Sequence, residues 1–347
     1  MVWSPEVRRL AGEGDATDIF VVAHPLIDDF LAFASTRARP NTVRAYAFDL
    51  KAFFSTVRKD PCEVRPADVF DFIKTQQHAR PGAENVVRIS DGGSGLSAAT
   101  VKRRLAAVSS FYGYLITRGD VGIDINPVPR GLPTRRVRRN GKGQPLIRGV
   151  RQLPRILDPD QVAALMAALR KERDKAMVQA MVLGGLRRCE VLGLRLGDLR
   201  LGEWRVFVAE GKGGHQRLVP MSPSFFVTVG KYMETERPAG LHTDRLFVVL
   251  KGPRRGQPLS IEGLDEIMSG ARARAGLSHG TCHELRHTCL TRLREHGMSI
   301  EALQAQAGHR SIAATQLYLH LGADWLADEY RKVAEAIEAQ VLVGTSR

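Results

Sequence analysis

Between Pro127 and Arg155 the chain reads PVPRGLPTRRVRRNGKGQPLIRGVRQLPR, with nine basic residues, no acidic one and no apolar periodicity. Proline and glycine at this density interrupt helices and strands alike. Like charges at this density repel and stay in solvent. Such a segment reads as an interdomain linker, with a folded domain expected on either side of it. The length agrees: 347 residues, at ~150 per domain, predict two bodies. The organisation expected is a short N-terminal tail (1–21), a first domain (22–126), a basic linker (127–155) and a second domain (156–347).

The linker also holds most of the excess charge. The chain carries 51 basic against 37 acidic residues, net +14. Residues 1–126 contribute 16 basic and 15 acidic, and residues 156–347 contribute 26 and 22. Clustered guanidiniums, here Arg135, Arg136, Arg138 and Arg139, neutralise phosphates and release counterions, so a strap across a polyanion is one reading. A solvated spacer is the other. Apolar residues at 44% and charged at 25% are an ordinary globular mix, which excludes wholesale disorder. No apolar run approaches the ~18–20 residues of a membrane helix; the best, Ile19 to Ile27, is broken by His24 and Pro25. No membrane partner is expected. Cys62, Cys189, Cys282 and Cys289 form no CxxC pair, and no secretory h-region follows Arg8 and Arg9, which together predict reduced thiols in a cytoplasm.

The first domain reads as a helical bundle. Apolar residues at 3–4-residue spacing predict helices from Pro25, from Asn41 or Thr42, after Pro66, and from near Ser97. Residues 79–96 read as a loop. The apolar stripes are core, so any function lies in basic residues on the other faces: Arg44, Lys51, Lys102, Arg103 and Arg104.

The second domain is mixed. Asp158 or Asp160 is placed to cap a helix, and a second helix runs through Met177 and Met181 into Gly184-Gly185. Strands are predicted at Trp204–Ala209, Gln216–Pro220 and Arg245–Leu250, the first two joined by the glycine-rich turn EGKGGH. Helical sequence resumes near Ile261. Helices, a small sheet, then helices predict a mainly α fold of α+β class. No GxGxxG or GxxxxGK[ST] motif is present, so no nucleotide cofactor is expected.

Four segments combine chemistry-bearing residues. Gly184-Gly-Leu-Arg187 is followed by Glu190, a carboxylate placed to hold the arginine. Lys212 lies in the glycine-rich turn. His283-Glu-Leu-Arg286-His287 comes next, then Gly308-His309 and Tyr318. His283 and His287 fall i, i+4 with Cys282 and Cys289 nearby, which raises a metal site. Arg286 between them would oppose a dication, so no metal is expected. The other reading makes His283 and Arg286 joint phosphate ligands.

Taken in order, these segments resemble the tyrosine recombinase, or phage integrase, family. Its pattern is an arginine in a TGLR-like segment, a lysine in a β-hairpin, HxxR, a GH pair and a tyrosine nine residues on. Here the matching positions are Arg187, Lys212, His283 and Arg286, His309 and Tyr318. The match spans roughly residues 158–340, and the first domain resembles the family's core-binding domain.

The resemblance implies that Tyr318 attacks a phosphodiester of duplex DNA to give a 3′-phosphotyrosine. Arg187 and Arg286 would clamp the non-bridging oxygens, and Glu190 would orient Arg187. Lys212 would protonate the leaving 5′-hydroxyl, His283 would handle the tyrosine proton and His309 would bind the phosphate. No cofactor is implied. A tetramer exchanging strands through a Holliday junction is implied, with a C-terminal helix donated between protomers, and DNA-bending proteins or sister recombinases are possible partners. Gly185 stands where threonine is frequent and Ala307 where leucine is frequent; neither change removes a charge. The loop at 79–96 is long for the family. The roughly 20 residues before the first helix are too few for a separate arm-binding domain. The rival readings are a monomeric type IB topoisomerase and a DNA-binding accessory protein without cleavage.

Overall fold

The computed structural model describes residues 3–10, 19–78, 95–131, 145–148, 155–209, 216–309 and 315. The chain divides into two compact units, Met1–Arg151 and Gln152–Arg347.

The first unit is a helical bundle: α1 (Pro25–Ser35), α2 (Pro40–Val57), α3 (Pro66–Gln77) and α4 (Ala98–Arg118). Three of these start on a proline, whose fixed φ suits the first helical turn. The fourth is capped by the Ser97 hydroxyl, which accepts from the Thr100 amide at 3.2 Å. Helix α2 begins at Pro40, one or two residues ahead of the start the sequence predicts. The core is aromatic. Phe53 meets Phe72 edge-on at 5.0 Å, and Phe54 meets Phe111 at 6.0 Å. The buried Tyr112 hydroxyl donates to the Pro61 carbonyl at 2.8 Å. Residues before α1, expected as a tail, include an antiparallel pair, β1 (Arg8–Leu10) with β2 (Ile19–Val21), whose Phe20 joins this core. Residues 79–94, most of the long predicted loop, lie outside the described residues.

The second unit opens with α5 (Pro159–Ala168) and α6 (Glu172–Val182). It continues through a short α7 (Arg188–Gly193) to a three-stranded antiparallel sheet, β3 (Leu199–Arg200), β4 (Arg205–Val208) and β5 (Arg217–Pro220). Then come α8 (Pro223–Thr235), α9 (Ile261–Arg274), α10 (Cys282–Glu295) and α11 (Ile300–Ala307). Met177, Ala180 and Met181 give α6 a fully buried face, and α6 packs against α8 and α10. Mainly helical with small sheets is the class the sequence predicts.

Two expectations need correction. Arg245–Leu250 is not a strand of the sheet. Leu246, Phe247 and Val248 are buried, but the segment makes only single bridges, Arg195 with Arg245 and Val248 with Pro258. Val249 donates to the Gln257 carbonyl at 2.9 Å but accepts from the Gly256 amide at 2.8 Å, so the register slips by one residue at Gly256, whose φ is 86°, and the pairing ends there. The third strand is instead Leu199–Arg200, too short to carry an alternation. Helix α8 is not among the predicted helices, although Ser222 caps it, Pro223 opens it, and Phe225, Val229 and Tyr232 bury one face.

Candidate active site

Glu190 is the centre of the cluster, with its side chain fully buried. Its position follows from the end of α6. Gly185 takes a left-handed φ of 67°, and its amide reaches back to Met181 at 3.1 Å. The chain reverses there, Leu186 is buried, and Arg187 emerges just before the first turn of α7. Glu190 Oε2 accepts from the Arg187 amide at 2.8 Å, and Oε1 accepts from Arg187 Nη1 at 2.8 Å. The carboxylate that the sequence assigns to orient Arg187 therefore touches both its backbone and its side chain.

A second arginine, which no sequence motif singles out, shares that carboxylate. Arg217 at the start of β5 donates from Nη1 to Glu190 Oε1 at 3.0 Å and from Nη2 to Oε2 at 2.9 Å. Arg286 on α10 brings Nη1 to 3.9 Å. Burial works against the Glu190 charge. The Arg217 hydrogen bonds and charge, with those of Arg187, outweigh it and hold the carboxyl below its ordinary range.

The same three guanidiniums grip three successive carbonyls at the end of α11. Arg217 Nε donates to Gln306 O at 3.2 Å, Arg286 Nη2 to Ala307 O at 2.6 Å, and Arg187 Nη2 to Gly308 O at 3.2 Å. These carbonyls lie where a helix leaves acceptors unpaired and its dipole is negative. Gly308 ends the helix with φ 60°, and His309 follows at the cluster.

Arg286 is 3% exposed and also donates to the Gly185 carbonyl, whereas the Arg187 side chain keeps 19% exposure. Arg286 Nη2 lies 3.2 Å from His309 Nε2. Arginine only donates, so Nε2 is the acceptor in this contact. The imidazole proton then sits on Nδ1, 3.0 Å from the buried Thr315 hydroxyl. Burial and the neighbouring Arg286 and Arg187 charges push His309 down to about 4. His283 and His287 face each other across one turn of α10, Nε2 to Nε2 at 2.8 Å. His287 is pushed down to about 4 by burial, His283 and Arg286, and His283 is lowered by burial and Arg286. Cys282 and Cys289 are buried, their thiols raised to about 11 and about 12 by burial.

Of the residues expected from sequence, Arg187, Glu190, Arg286 and His309 share one cluster. His283 is one helical turn before His287. Lys212 and Tyr318 lie outside the described residues, as do Arg135, Arg136, Arg138, Arg139 and the C-terminal helix.

In the first unit, the buried Asp49 takes Arg103 as a hydrogen-bond partner and Arg104 as an ion-pair partner at 3.9 Å; Arg104 also donates to Gln76. Asp49 thus offsets part of the charge expected to face DNA, while the Arg103 side chain stays 53% exposed. Arg44 lies over the Phe48 ring at 5.9 Å, and Lys102 is exposed.

Comparison with known proteins gives a consistent picture. The phage integrase family profile matches residues 155–324, and the phage integrase N-terminal SAM-like domain matches 27–119. Together they cover about three quarters of the chain. Tyrosine recombinase XerC of Pelobacter propionicus is 29% identical over 318 residues, 89% of this chain and 95% of that protein. Tyrosine recombinase XerD of Listeria monocytogenes is 29% identical over 323 residues, 88% and 97% of the two chains. Among solved structures, the Tn1549 transposon integrase in complex with transposon right end DNA has a TM-score of 0.67 at 17% identity, covering 89% of this chain and 98% of that one. A lambda integrase dimer bound to a core site gives 0.61 at 19%, covering 87% and 97%. These two likenesses establish a shared fold. None of the described helices is long and apolar enough to cross a membrane.

Proposed function

The chain belongs to the phage integrase family, the tyrosine recombinases, which cut and rejoin DNA site-specifically, and we propose the following roles for its residues. Arg187 and Arg286 take the non-bridging oxygens of the scissile phosphate and stabilise the pentacoordinate transition state. The Tyr318 oxygen attacks phosphorus, the P–O5′ bond breaks, and a 3′-phosphotyrosine forms. Lys212 gives its proton to the leaving 5′-oxygen, and His283 accepts the proton of Tyr318. His309 hydrogen-bonds the phosphate once Nε2 is released from Arg286 and carries a proton. Glu190 orients Arg187. Attack by a 5′-hydroxyl of another strand on the phosphotyrosine reverses each step, so the bond is conserved without cofactor or metal.

The supporting observation is the convergence of Arg187 and Arg286 on adjacent carbonyls of the turn that carries His309. Two guanidiniums held that way meet the demand of a dispersed phosphoryl charge. The partner is a double-stranded recombination site. The basic segment 127–155 straps the duplex, with Arg44, Lys102, Arg103 and Arg104 adding contacts from the first domain. Four protomers exchange strands pairwise through a Holliday junction, each donating its C-terminal helix to a neighbour. DNA-bending proteins or a sister recombinase complete the assembly, in the cytoplasm.

Covalent capture tests this reading. Wild type and Tyr318→Phe are incubated with DNA flanking the protein's own gene, denatured, and the DNA that stays attached to protein is sequenced. Adducts with wild type and none with the variant are expected. Equal recovery from both would remove Tyr318 as nucleophile.

A further inference from the structure

We propose that Arg217 is a positioning residue for DNA cleavage, which keeps Arg187 available to the phosphate by occupying Glu190. The inference rests on reading Arg187 and Arg286 as phosphate ligands, and it concerns a residue outside that set.

The argument begins with a buried carboxylate. A fully buried, ionised Glu190 must fill its lone pairs with donors or lose its charge. Arg217 meets it fork to fork, the strongest geometry a carboxylate accepts. Arg187 then needs to supply only one side-chain nitrogen and its backbone amide. Its Nη2 turns instead to the Gly308 carbonyl, and the side chain keeps 19% exposure. Without Arg217, Arg187 is the nearest cation able to close on Glu190 with both nitrogens. The cluster would also fall from three guanidiniums against one carboxylate to two against one, halving its net positive charge.

Two further contacts tie Arg217 to the same task. Its Nε holds the Gln306 carbonyl at 3.2 Å. Its guanidinium also lies flat against Gly308, where a Cβ would sit 2.9 Å from Cζ. Arg217 thus shapes the turn that presents His309. It also opens β5, five residues after Lys212 in sequence, so the strand leaving the lysine segment is anchored in the arginine cluster. Lysine could replace the charge but not the fork.

The test uses a duplex carrying the cleavage site recovered by covalent capture, synthesised with either a phosphodiester or an uncharged methylphosphonate at the scissile position. Single-turnover cleavage is measured at saturating full-length enzyme. Arg217→Ala is expected to lose about 100-fold on the phosphodiester and under about 5-fold on the methylphosphonate, because a neutral phosphoryl group needs less compensating charge. If Arg217→Ala does not unfold cooperatively, Arg217→Lys carries the test, with the same contrast at about 10-fold. Equal losses on the two substrates, or no loss on the phosphodiester, would overturn the proposal. A wild type that cleaves neither substrate through Tyr318 would overturn the assigned site first, and this inference with it.

Discussion

The imidazole of His309 accepts a hydrogen bond from the guanidinium of Arg286, with 3.2 Å between Nε2 and Nη2. A protonated His309 could not do so, because both ring nitrogens would then be donors. The resting site therefore stores a neutral imidazole among cations, and this makes the second unit sensitive to acid. Burial and neighbouring charges push His309 and His287 down to about 4 in the folded protein, from an ordinary value of 6.5. Between these limits the unfolded chain binds protons that the folded one does not, so stability rises with pH across that window. Above 6.5 neither group contributes a slope. The urea midpoint is expected to fall as pH drops from 6.5 towards 4, and His309→Gln and His287→Gln should each flatten the decline. A midpoint independent of pH in both variants and wild type would remove this account.

Glu190 faces three guanidiniums, so deleting it leaves a cluster of cations without its counter-charge. Glu190→Ala is expected to cost about 3–5 kcal/mol, the range for breaking a buried ion pair. Glu190→Gln keeps the shape and some acceptor capacity and is expected to cost about 1–3 kcal/mol. Urea denaturation gives both values. If the two variants were equally and only slightly destabilised, Glu190 would not be the charge holding the cluster together.

Much of this cluster is legible in the sequence because the chemistry fixes residue type and spacing. Arg187, Arg286 and His309 fall in short segments whose order is informative even when each alone is weak. Glu190 is legible because it lies three residues after Arg187, within reach on the first helical turn. Arg217 is not, since no local motif marks it; its partners are 27 and 89 residues away. A fainter signal exists in β5, where Arg217 shares the inward side of the strand with the fully buried Val219, while Leu218 and Pro220 face out. An arginine in phase with a buried valine must find a carboxylate or carbonyls inside. The helices are legible from apolar spacing and proline starts. The buried run at Arg245–Leu250 misleads, because burial alone does not distinguish a strand from an irregular segment that makes only single bridges, to Arg195 and Pro258.

Gly308 combines a left-handed backbone with a side chain pressed against it. Gly308→Ala is expected to destabilise the second unit by about 1–2 kcal/mol from the backbone alone, with more from displacing Arg217. Because part of the penalty comes from that one neighbour, Gly308→Ala combined with Arg217→Ala should cost less than the two single changes added. Denaturation of the four proteins measures the coupling. Strict additivity would mean that Arg217 does not press on this turn.

Arg286 and the linker arginines are expected to separate cleavage from binding. On the proposed reading Arg286 would meet the DNA at one phosphate among many, so Arg286→Lys should lower single-turnover cleavage by about 100-fold or more while leaving DNA affinity within a few-fold. Its hydrogen bonds to the Gly185 and Ala307 carbonyls make lysine a gentler substitution than alanine for the fold. Neutralising Arg135, Arg136, Arg138 and Arg139 should do the reverse. Every phosphate that the protein no longer neutralises takes about 0.9 from the slope of log affinity against log salt. With all four arginines neutralised, the slope would flatten by up to about 3.6, and the cleavage rate of bound DNA would stay unchanged. Fluorescence anisotropy across a salt series gives the slope. An unchanged slope would make residues 127–155 a tether, and would move the search for phosphate-binding residues to the two folded units.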